Sequence, residues 1–169
     1  MSDLGDENIH KIRAVVDTNV AIVANNKSPQ ASRECVQQCI KRLEDLKQNG
    51  IVILDSEWRI IKEYQNELCD HGKLDAGDEF LVWILKNRKN PEKSELYSLH
   101  ADPENEGSFL EFPKDTGLEK FHRKDRKFVA VAIVSGAPIW NAADSDWWMY
   151  KEALERNHIK VEFLCPDCF

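Results

Sequence analysis

Acidic side chains stand at the ends of the predicted strands and at the starts of the helices that follow them. The candidates are Asp17, Glu63, Asp125, Asp144 and Asp146. Because ligands bind at the carboxyl ends of the strands in open α/β sheets, we expect these side chains to share one cavity. Carboxylates held together repel one another unless a cation neutralises them, and oxygen ligands favour Mg²⁺ or Mn²⁺ over zinc. A metal ion held in this way can polarise a phosphodiester and activate water for in-line attack.

Each of these acids also has a structural explanation. Asp is common at helix starts, where its side chain accepts hydrogen bonds from backbone N–H groups, and Asp125 is well placed to cap its helix. The chemical interpretation therefore depends on the whole set, which recurs at the ends of elements, and not on any single residue.

The pattern of apolar residues predicts the elements that hold these acids. Residues 12–16 are apolar on both faces, as in a buried parallel strand, and Asp17 follows them directly. Ser32 is a plausible N-cap for a helix that ends at Asn49-Gly50, and residues 51–54 form a second apolar strand. A strand, a helix and a strand with short connections indicate a right-handed crossover in a parallel sheet.

Strands and helices continue to alternate along the rest of the chain. Helices are predicted over 58–68, 76–87, 126–134 and 147–156, and strands over 138–141 and 159–164. Prolines and glycines punctuate residues 90–120, where only 95–99 and 108–112 look ordered, and such long segments are usually functional or mobile. We predict a loose tail at 1–10 and a single domain at 11–169, an α/β/α three-layer sandwich with a mainly parallel central sheet.

Composition limits the function classes. The net charge of −7 argues against a protein that coats nucleic acid, but it does not exclude a nuclease, since clustered carboxylates lower the net charge. Basic stretches at 86–89 and 122–127 could guide a phosphate backbone, although such stretches are more often solvated surface. No apolar run is long enough to cross a bilayer and no secretory leader is indicated, so we expect no membrane and a cytoplasmic location.

The five cysteines allow two interpretations. Their odd number and irregular spacing do not predict a disulfide framework. Cys35 and Cys39 lie four apart on a predicted helix and Cys165 and Cys168 form a C-x-x-C, so the two pairs could be halves of a zinc site. We favour the alternative, in which Cys35 and Cys39 are small core residues and the C-x-x-C holds no metal.

Four segments resemble the motifs of the PIN-domain (PilT N-terminus) ribonuclease family. In that family the first strand ends in Asp followed by Thr-Asn, and an acid lies on the helix after the second strand. An Asp opens an alanine-rich buried helix, and the last motif usually reads Thr-Asn-Asp-x-Asp-Phe. The matching segments are Val15-Val16-Asp17-Thr18-Asn19-Val20, Ile60-Ile61-Lys62-Glu63-Tyr64, Asp125-Arg126-Lys127-Phe128-Val129-Ala130-Val131-Ala132 and Asn141-Ala142-Ala143-Asp144-Ser145-Asp146-Trp147.

The resemblance implies an RNase-H-like fold and an endoribonuclease that cuts single-stranded RNA with two Mg²⁺ or Mn²⁺ ions. It implies that Thr18 and Asn19 support the site by hydrogen bonding. The metal ligands and catalytic residues that it implies are Asp17, Glu63, Asp125 and Asp144, with Asp146 sharing or replacing the role of Asp144. Glu67 and then Glu57 are the competitors for the position of Glu63. The basic residues that could hold the RNA backbone are Arg123, Lys124, Arg126 and Lys127.

One departure from the family pattern leaves an alternative open. Ala142 and Ala143 stand where the family often has Thr-Asn, so a hydroxyl that helps to order the metal site is absent. The alternative is a catalytically weak or inactive domain that acts as a protein-interaction module. A phosphatase-like enzyme ranks last, because Asn19 occupies the position where such enzymes need a second Asp. Small PIN proteins are often toxins or defence effectors, so the resemblance also implies a possible homodimer and an antitoxin-like inhibitory partner.

Overall fold

The computed structural model describes residues 11–169, so the predicted tail at 1–10 lies outside the described residues. One sheet of five parallel strands runs through the molecule in the order β3-β2-β1-β4-β5. The predicted α/β sandwich with a parallel central sheet is confirmed. The strands are β1 Ile12–Val16, β2 Gly50–Asp55, β3 Ser94–Tyr97, β4 Ile139–Asn141 and β5 Val161–Phe163.

Helices cover the sheet. Ser32 caps the longest of them and accepts a hydrogen bond from the amide of Cys35 at 3.1 Å, as the sequence predicted. The single helix predicted over 147–156 is two short helices that meet at Tyr150. Within residues 11–169 no helix is long and apolar enough to cross a membrane. The helices are α1 Thr18–Ala24, α2 Arg33–Asn49, α3 Arg59–Glu67, α4 Ala76–Asn87, α5 Arg126–Ser135, α6 Ser145–Met149 and α7 Lys151–Arg156.

The central position of β1 in the sheet explains why its sequence is apolar on both faces. It pairs with β2 on one side and with β4 on the other. Ala14, Val15 and Val16 are completely buried, because helices cover both faces of the sheet at this point. Burial of each Val in such a position contributes about 1.5–3 kcal/mol, so the middle of the sheet is its most stable part.

Residues 98–125 are irregular but folded against the core. The preceding stretch forms the edge strand β3, where local order was predicted at 95–99. Beyond it, Ala101 and Phe109 form an isolated antiparallel bridge, and Phe109, Phe112 and Phe121 are buried. This segment therefore forms one wall of the domain.

Arg126 holds that segment in place. Its side chain is buried and donates to the carbonyl of Phe121 at 3.1 Å, to Oγ of Ser108 at 3.0 Å and to the carbonyl of Glu119 at 2.9 Å. Its guanidinium also lies 4.5 Å from the ring centre of Phe112. The structure does not favour the predicted RNA contact of Arg126, because the residue is only 3% exposed and its donors are occupied by these groups.

We expect the Arg126→Lys variant to be less stable than the wild type by about 2–3 kcal/mol. An ammonium cannot reproduce the planar fork of donors, and buried hydrogen bonds to charged groups each contribute about 1.5–3 kcal/mol. Urea unfolding measures the loss, and hydrogen exchange should rise in residues 98–125 first. Arg123→Lys, at an exposed site on the neighbouring turn, is the control. An equal effect of the two variants would contradict the structural role of Arg126.

Cys35 and Cys165 are joined in a disulfide bond across 130 residues of sequence. The odd number and irregular spacing of the cysteines did not indicate this bond. Spacing along the chain could not reveal the pair, because the fold alone brings the start of α2 next to the residues after β5. Cys39 is buried in the core, as predicted.

Candidate active site

The ends of β1 and β4 create the site. These two strands are neighbours in register, with Val16 opposite Trp140, and the amide of Asp17 donates to the carbonyl of Trp140 at 3.0 Å. Both strands are parallel, so their carboxyl ends lie at the same edge of the sheet. The residues that follow them, Asp17 and Asp144, are therefore brought together as the sequence predicted.

Asp17 lies at the centre of the carboxylate group. It precedes α1, yet its side chain caps no backbone N–H group, so capping does not explain its presence. Its side chain is buried, and Oδ2 accepts a hydrogen bond from Nδ2 of Asn141 at 2.8 Å. Burial raises the pKa of this carboxyl well above its usual value, and the charges of Asp125, Glu63 and Asp144 raise it further. Asp17 thus lies within electrostatic reach of the three other predicted acids.

Asp125 precedes α5 but does not cap it with its side chain. A short 3₁₀ turn, Arg123–Asp125, leads into the helix and leaves the carboxyl free to face the other acids. Burial raises the pKa of Asp125 to about 6, and the charges of Glu63 and Asp144 act in the same direction. His122 and Lys127 oppose this rise. The capping interpretation considered for Asp125 is therefore wrong for its carboxyl group.

Glu63 is held from two sides. Oγ1 of Thr18 donates to its Oε2, and Nζ of Lys127 donates to its Oε1 at 2.7 Å. Thr18 has the supporting role that the family resemblance implied. Lys127, predicted as an RNA contact, is instead bonded to Glu63 and to the carbonyl of Lys124.

The two competitors of Glu63 lie in different places. Glu57 accepts from the hydroxyl of Ser98 at 2.9 Å and pairs with Arg59 at 3.2 Å, so it serves the loop before α3. Glu67 lines the same cleft as Glu63, one helical turn further along α3. Of these three glutamates, Glu63 is the one whose charge raises the pKa of Asp17. The geometry therefore favours Glu63 over both alternatives.

Asp144 and Asp146 lie in different environments. Burial raises the pKa of Asp144, and its Oδ1 accepts from the amide of Asp146 at 2.9 Å, which caps α6. Asp146 is exposed and lies on the rim of a neighbouring cleft with Asp125 and His122. Asp144 is half-buried and its charge acts on Asp17, whereas Asp146 is exposed at the border of the group.

Asn141 is a site residue that the sequence analysis missed. It is completely buried at the end of β4, donates to Asp17, and accepts at its Oδ1 from the amide of Asp144 at 3.1 Å. Asn19 acts in parallel, since its Oδ1 accepts from the amide of Ala142 at 3.1 Å. The signal in the sequence was an amide residue that ends a buried apolar strand directly before an acidic motif. Together these amides fix the connection from β4 to Asp144 without the Thr-Asn pair of the family pattern.

The oxygen atoms of the carboxylates are not drawn tightly together. Among residues 11–169, no three of these acids bring oxygen atoms within 4.8 Å of one another. The nearest cation to Glu63 is the ammonium of Lys127. The donor set, consisting of oxygen atoms with unfavourable mutual charge, fits a hard divalent cation, which would neutralise the group.

Two clefts border the carboxylates. One, of about 350 Å³, combines Glu63 with basic side chains and an aromatic ring on the wall held by Arg126; its lining includes Arg59, Lys62, Phe109, Arg123, Lys124 and Lys127. The other, of about 200 Å³, is lined by His122, Asp125, Asp146, Trp147, Met149 and Tyr150. Three of the basic residues that the sequence analysis named line the larger cleft beside Glu63: Arg123, Lys124 and Lys127. Two basic residues that it did not name, Arg59 and Lys62, line the same cleft as well.

Comparisons with family models, with curated proteins and with solved structures find no match to this chain. Its class is therefore defined by fold and site alone: a parallel α/β sandwich with a buried Asp17 and three half-buried acids near the carboxyl ends of two central strands.

Proposed function

We propose that this protein is a Mg²⁺- or Mn²⁺-dependent endoribonuclease that hydrolyses phosphodiester bonds in single-stranded RNA. The observation that carries the proposal is the burial of Asp17 beside three other acids. Such an arrangement is unfavourable for folding, because burial and like charges both oppose ionisation. Proteins retain unfavourable groups of this kind mainly at functional sites, and here a divalent cation would make the arrangement favourable.

The residues divide the work of such a reaction. Asp17, Glu63, Asp125 and Asp144 would hold one or two ions, and Asp146 would border them. A bound divalent ion supplies charge neutralisation at the phosphate and lowers the pKa of a water molecule. Asn141 and Thr18 keep Asp17 and Glu63 oriented through their hydrogen bonds, which is the usual role of groups that contact metal ligands.

The basic cleft supports a nucleic acid as the substrate. Lys62, Lys124 and Arg123 lie beside Glu63 and can pair with successive phosphates, although the overall charge of the chain is negative. Phe109 lines the same cleft, but its side chain is buried and the guanidinium of Arg59 lies over its ring, so it offers no open face for a base. The single-stranded substrate is therefore proposed from the resemblance to PIN domains.

One observation favours the second candidate, a non-catalytic interaction module. The ion pair between Lys127 and Glu63 neutralises one of the four acids without a metal ion. If that pair persists when divalent ions are present, the carboxylate group would be a structural feature of a binding surface. An inhibitory protein partner and a homodimer belong to either version of the proposal, and affinity capture and measurement of molar mass in solution test them.

The deciding experiment is cleavage of a labelled single-stranded RNA with Mn²⁺ or Mg²⁺. We expect the wild type to cut, EDTA to stop the reaction, and Asp125→Asn to lower the rate by about 10³-fold or more, since the ion that it helps to hold supplies several kcal/mol of transition-state stabilisation. Asp70→Asn, an exposed acid outside the site, is the matched control and should cut normally. Binding of RNA without cleavage under all these conditions would favour the interaction module. Cleavage by Asp125→Asn at the wild-type rate would overturn the assignment of the site.

A further inference from the structure

A second cluster of metal-binding side chains lies apart from the carboxylates. Cys35 and Cys39 project from the same side of α2, one helical turn apart, and Cys165 and Cys168 flank a 3₁₀ turn after β5. The sulfur atoms of Cys35, Cys39 and Cys165 all lie within 4.8 Å of one another. Within residues 11–169, this is the one set of three or more His, Cys, Asp and Glu side chains whose ligand atoms lie so close.

Cys168 lies next to this cluster. It lies on the same short turn as Cys165, and its amide donates to the carbonyl of Cys165 at 3.1 Å. Its Sγ lies 3.9 Å from Oγ of Ser32, the residue that caps α2 three positions before Cys35. Cys168 therefore lies beside the start of α2, the helix from which Cys35 and Cys39 project.

A disulfide alone does not account for this arrangement. The bond between Cys35 and Cys165 uses two of the four sulfur atoms, while Cys39 within the cluster and Cys168 beside it remain as thiols. Tetrahedral zinc sites take four thiolates at about 2.3 Å from the ion, which puts the sulfur atoms about 3.8 Å apart. Ligand pairs separated by two to four residues are typical of such sites. Both spacings present here, three residues between Cys35 and Cys39 and two between Cys165 and Cys168, fall in that range.

We propose that the reduced protein binds one Zn²⁺ ion through Cys35, Cys39, Cys165 and Cys168. A dithiol reductant gives two electrons and two protons to the bond between Cys35 and Cys165, which becomes two thiols while the reductant becomes a disulfide. Zinc then displaces a proton from each of the four thiols. The cluster thus has two closed states, an oxidised one joined by the disulfide and a reduced one joined by the metal, and both fasten the end of the chain to α2.

The site is linked to the end of β4. The amide of Cys165 donates to the carbonyl of Ala142 at 3.1 Å, and the amide of Leu164 donates to the carbonyl of Asn141 at 2.8 Å. Zinc at the cluster would therefore hold the strand that carries Asn141 and leads to Asp144. This role is independent of whether the carboxylates catalyse RNA cleavage.

Titration of the reduced full-length chain with Co²⁺, followed by displacement with Zn²⁺, tests the proposal. Co²⁺ bound by thiolates gives an intense sulfur-to-metal charge-transfer absorption that carboxylate ligation does not give. We expect this absorption to saturate at one ion per chain and to disappear when Zn²⁺ is added. Cys39→Ser should weaken binding by more than about 100-fold, since even loss of an outer partner of a metal ligand weakens binding by about 10- to 100-fold.

Two further variants keep the result clear. Cys168→Ser changes a half-buried residue outside the disulfide, so it tests the fourth ligand with little risk to the core and should weaken binding as Cys39→Ser does. Cys69→Ser removes an exposed cysteine outside the cluster and should bind the metal normally. Absence of the charge-transfer absorption in the reduced wild type would overturn the proposal, and so would unchanged absorption in Cys39→Ser and Cys168→Ser.

Discussion

Replacement of Asp17 with asparagine is expected to abolish RNA cleavage and, at the same time, to stabilise the metal-free protein. The amide has the shape of the carboxyl and can still accept the hydrogen bond from Asn141 through its oxygen. It carries no charge, however, so the repulsion with Asp125, Glu63 and Asp144 is removed. We expect the free energy of unfolding in EDTA at pH 7 to rise by about 0.5–2 kcal/mol, as stabilising changes at strained functional sites commonly give.

Urea unfolding in EDTA measures that gain, and the RNA assay with Mn²⁺ measures the loss of activity. Asn141→Ala is the informative comparison, because it removes the partner of Asp17 without removing charge and should lower both stability and activity. A metal-free Asp17→Asn protein that is less stable than the wild type would contradict the view that the carboxylate group is unfavourable without a cation.

The stability of the metal-free protein is expected to fall between about pH 4 and pH 6 because of the same group. The pKa of Asp125 is about 6 in the folded protein, against 3.8 for the unperturbed group. The folded state therefore binds a proton more strongly than the unfolded state, so the contribution is present below pH 3.8 and is lost as the pH rises through 6. A shift of about two units corresponds to about 3 kcal/mol. Asp17 and Asp144, whose pKa values are also raised, act in the same direction.

Other carboxylates make the stability fall again at low pH. Arg13 holds the pKa of Glu95 below its usual value, and Arg156 does the same for Asp115, so the stability from these pairs is lost as the pH falls. The metal-free protein should thus be most stable near pH 4, where both contributions are largely present. Mn²⁺ at 100 times its dissociation constant should add about 2.7 kcal/mol at pH 7 and less at pH 5, where protons compete for the ligands. Unfolding curves at the two pH values, with EDTA and with Mn²⁺, provide the measurement.

Asp125→Asn is the control for this profile, since it should flatten the fall between pH 4 and pH 6 in EDTA. A wild-type protein whose stability in EDTA rises from pH 5 to pH 7 would contradict the prediction. So would an equal gain from Mn²⁺ in the wild type and in Asp125→Asn.

The central strands were predictable because burial on both faces leaves a continuous apolar run, as in β1. The edge strand β3 was harder to recognise, because Glu95 and Tyr97 are polar groups that bond to Arg13 rather than to the core. The break at Tyr150 was also hidden, since apolar periodicity continues across α6 and α7 while the backbone hydrogen bonds are interrupted. In each case tertiary contacts decided what local preference left open.

Some residues of the candidate site were also predictable from the sequence, and others were not. Acids at strand ends could be proposed from the sequence, because parallel strands direct their carboxyl ends to one edge. The role of Arg126 could not, since a basic residue beside an acidic motif reads as a surface cation until its buried partners are known. Asn141 and the convergence of the four cysteines depend on contacts between residues more than a hundred positions apart. No local pattern records such contacts.

The position of β1 in the sheet also determines when the site can exist during synthesis. Asp17 and Glu63 are made well before Asn141 and Asp144, which belong to the far side of β1. A nascent chain that has not yet made β4 leaves one edge of β1 unpaired, and it lacks the partner that orients Asp17. Contacts of such long sequence separation form late. Until β4 has been made and has paired with β1, the growing chain lacks the complete carboxylate site, and under the proposed function it cannot yet cut the RNA of the ribosome that makes it.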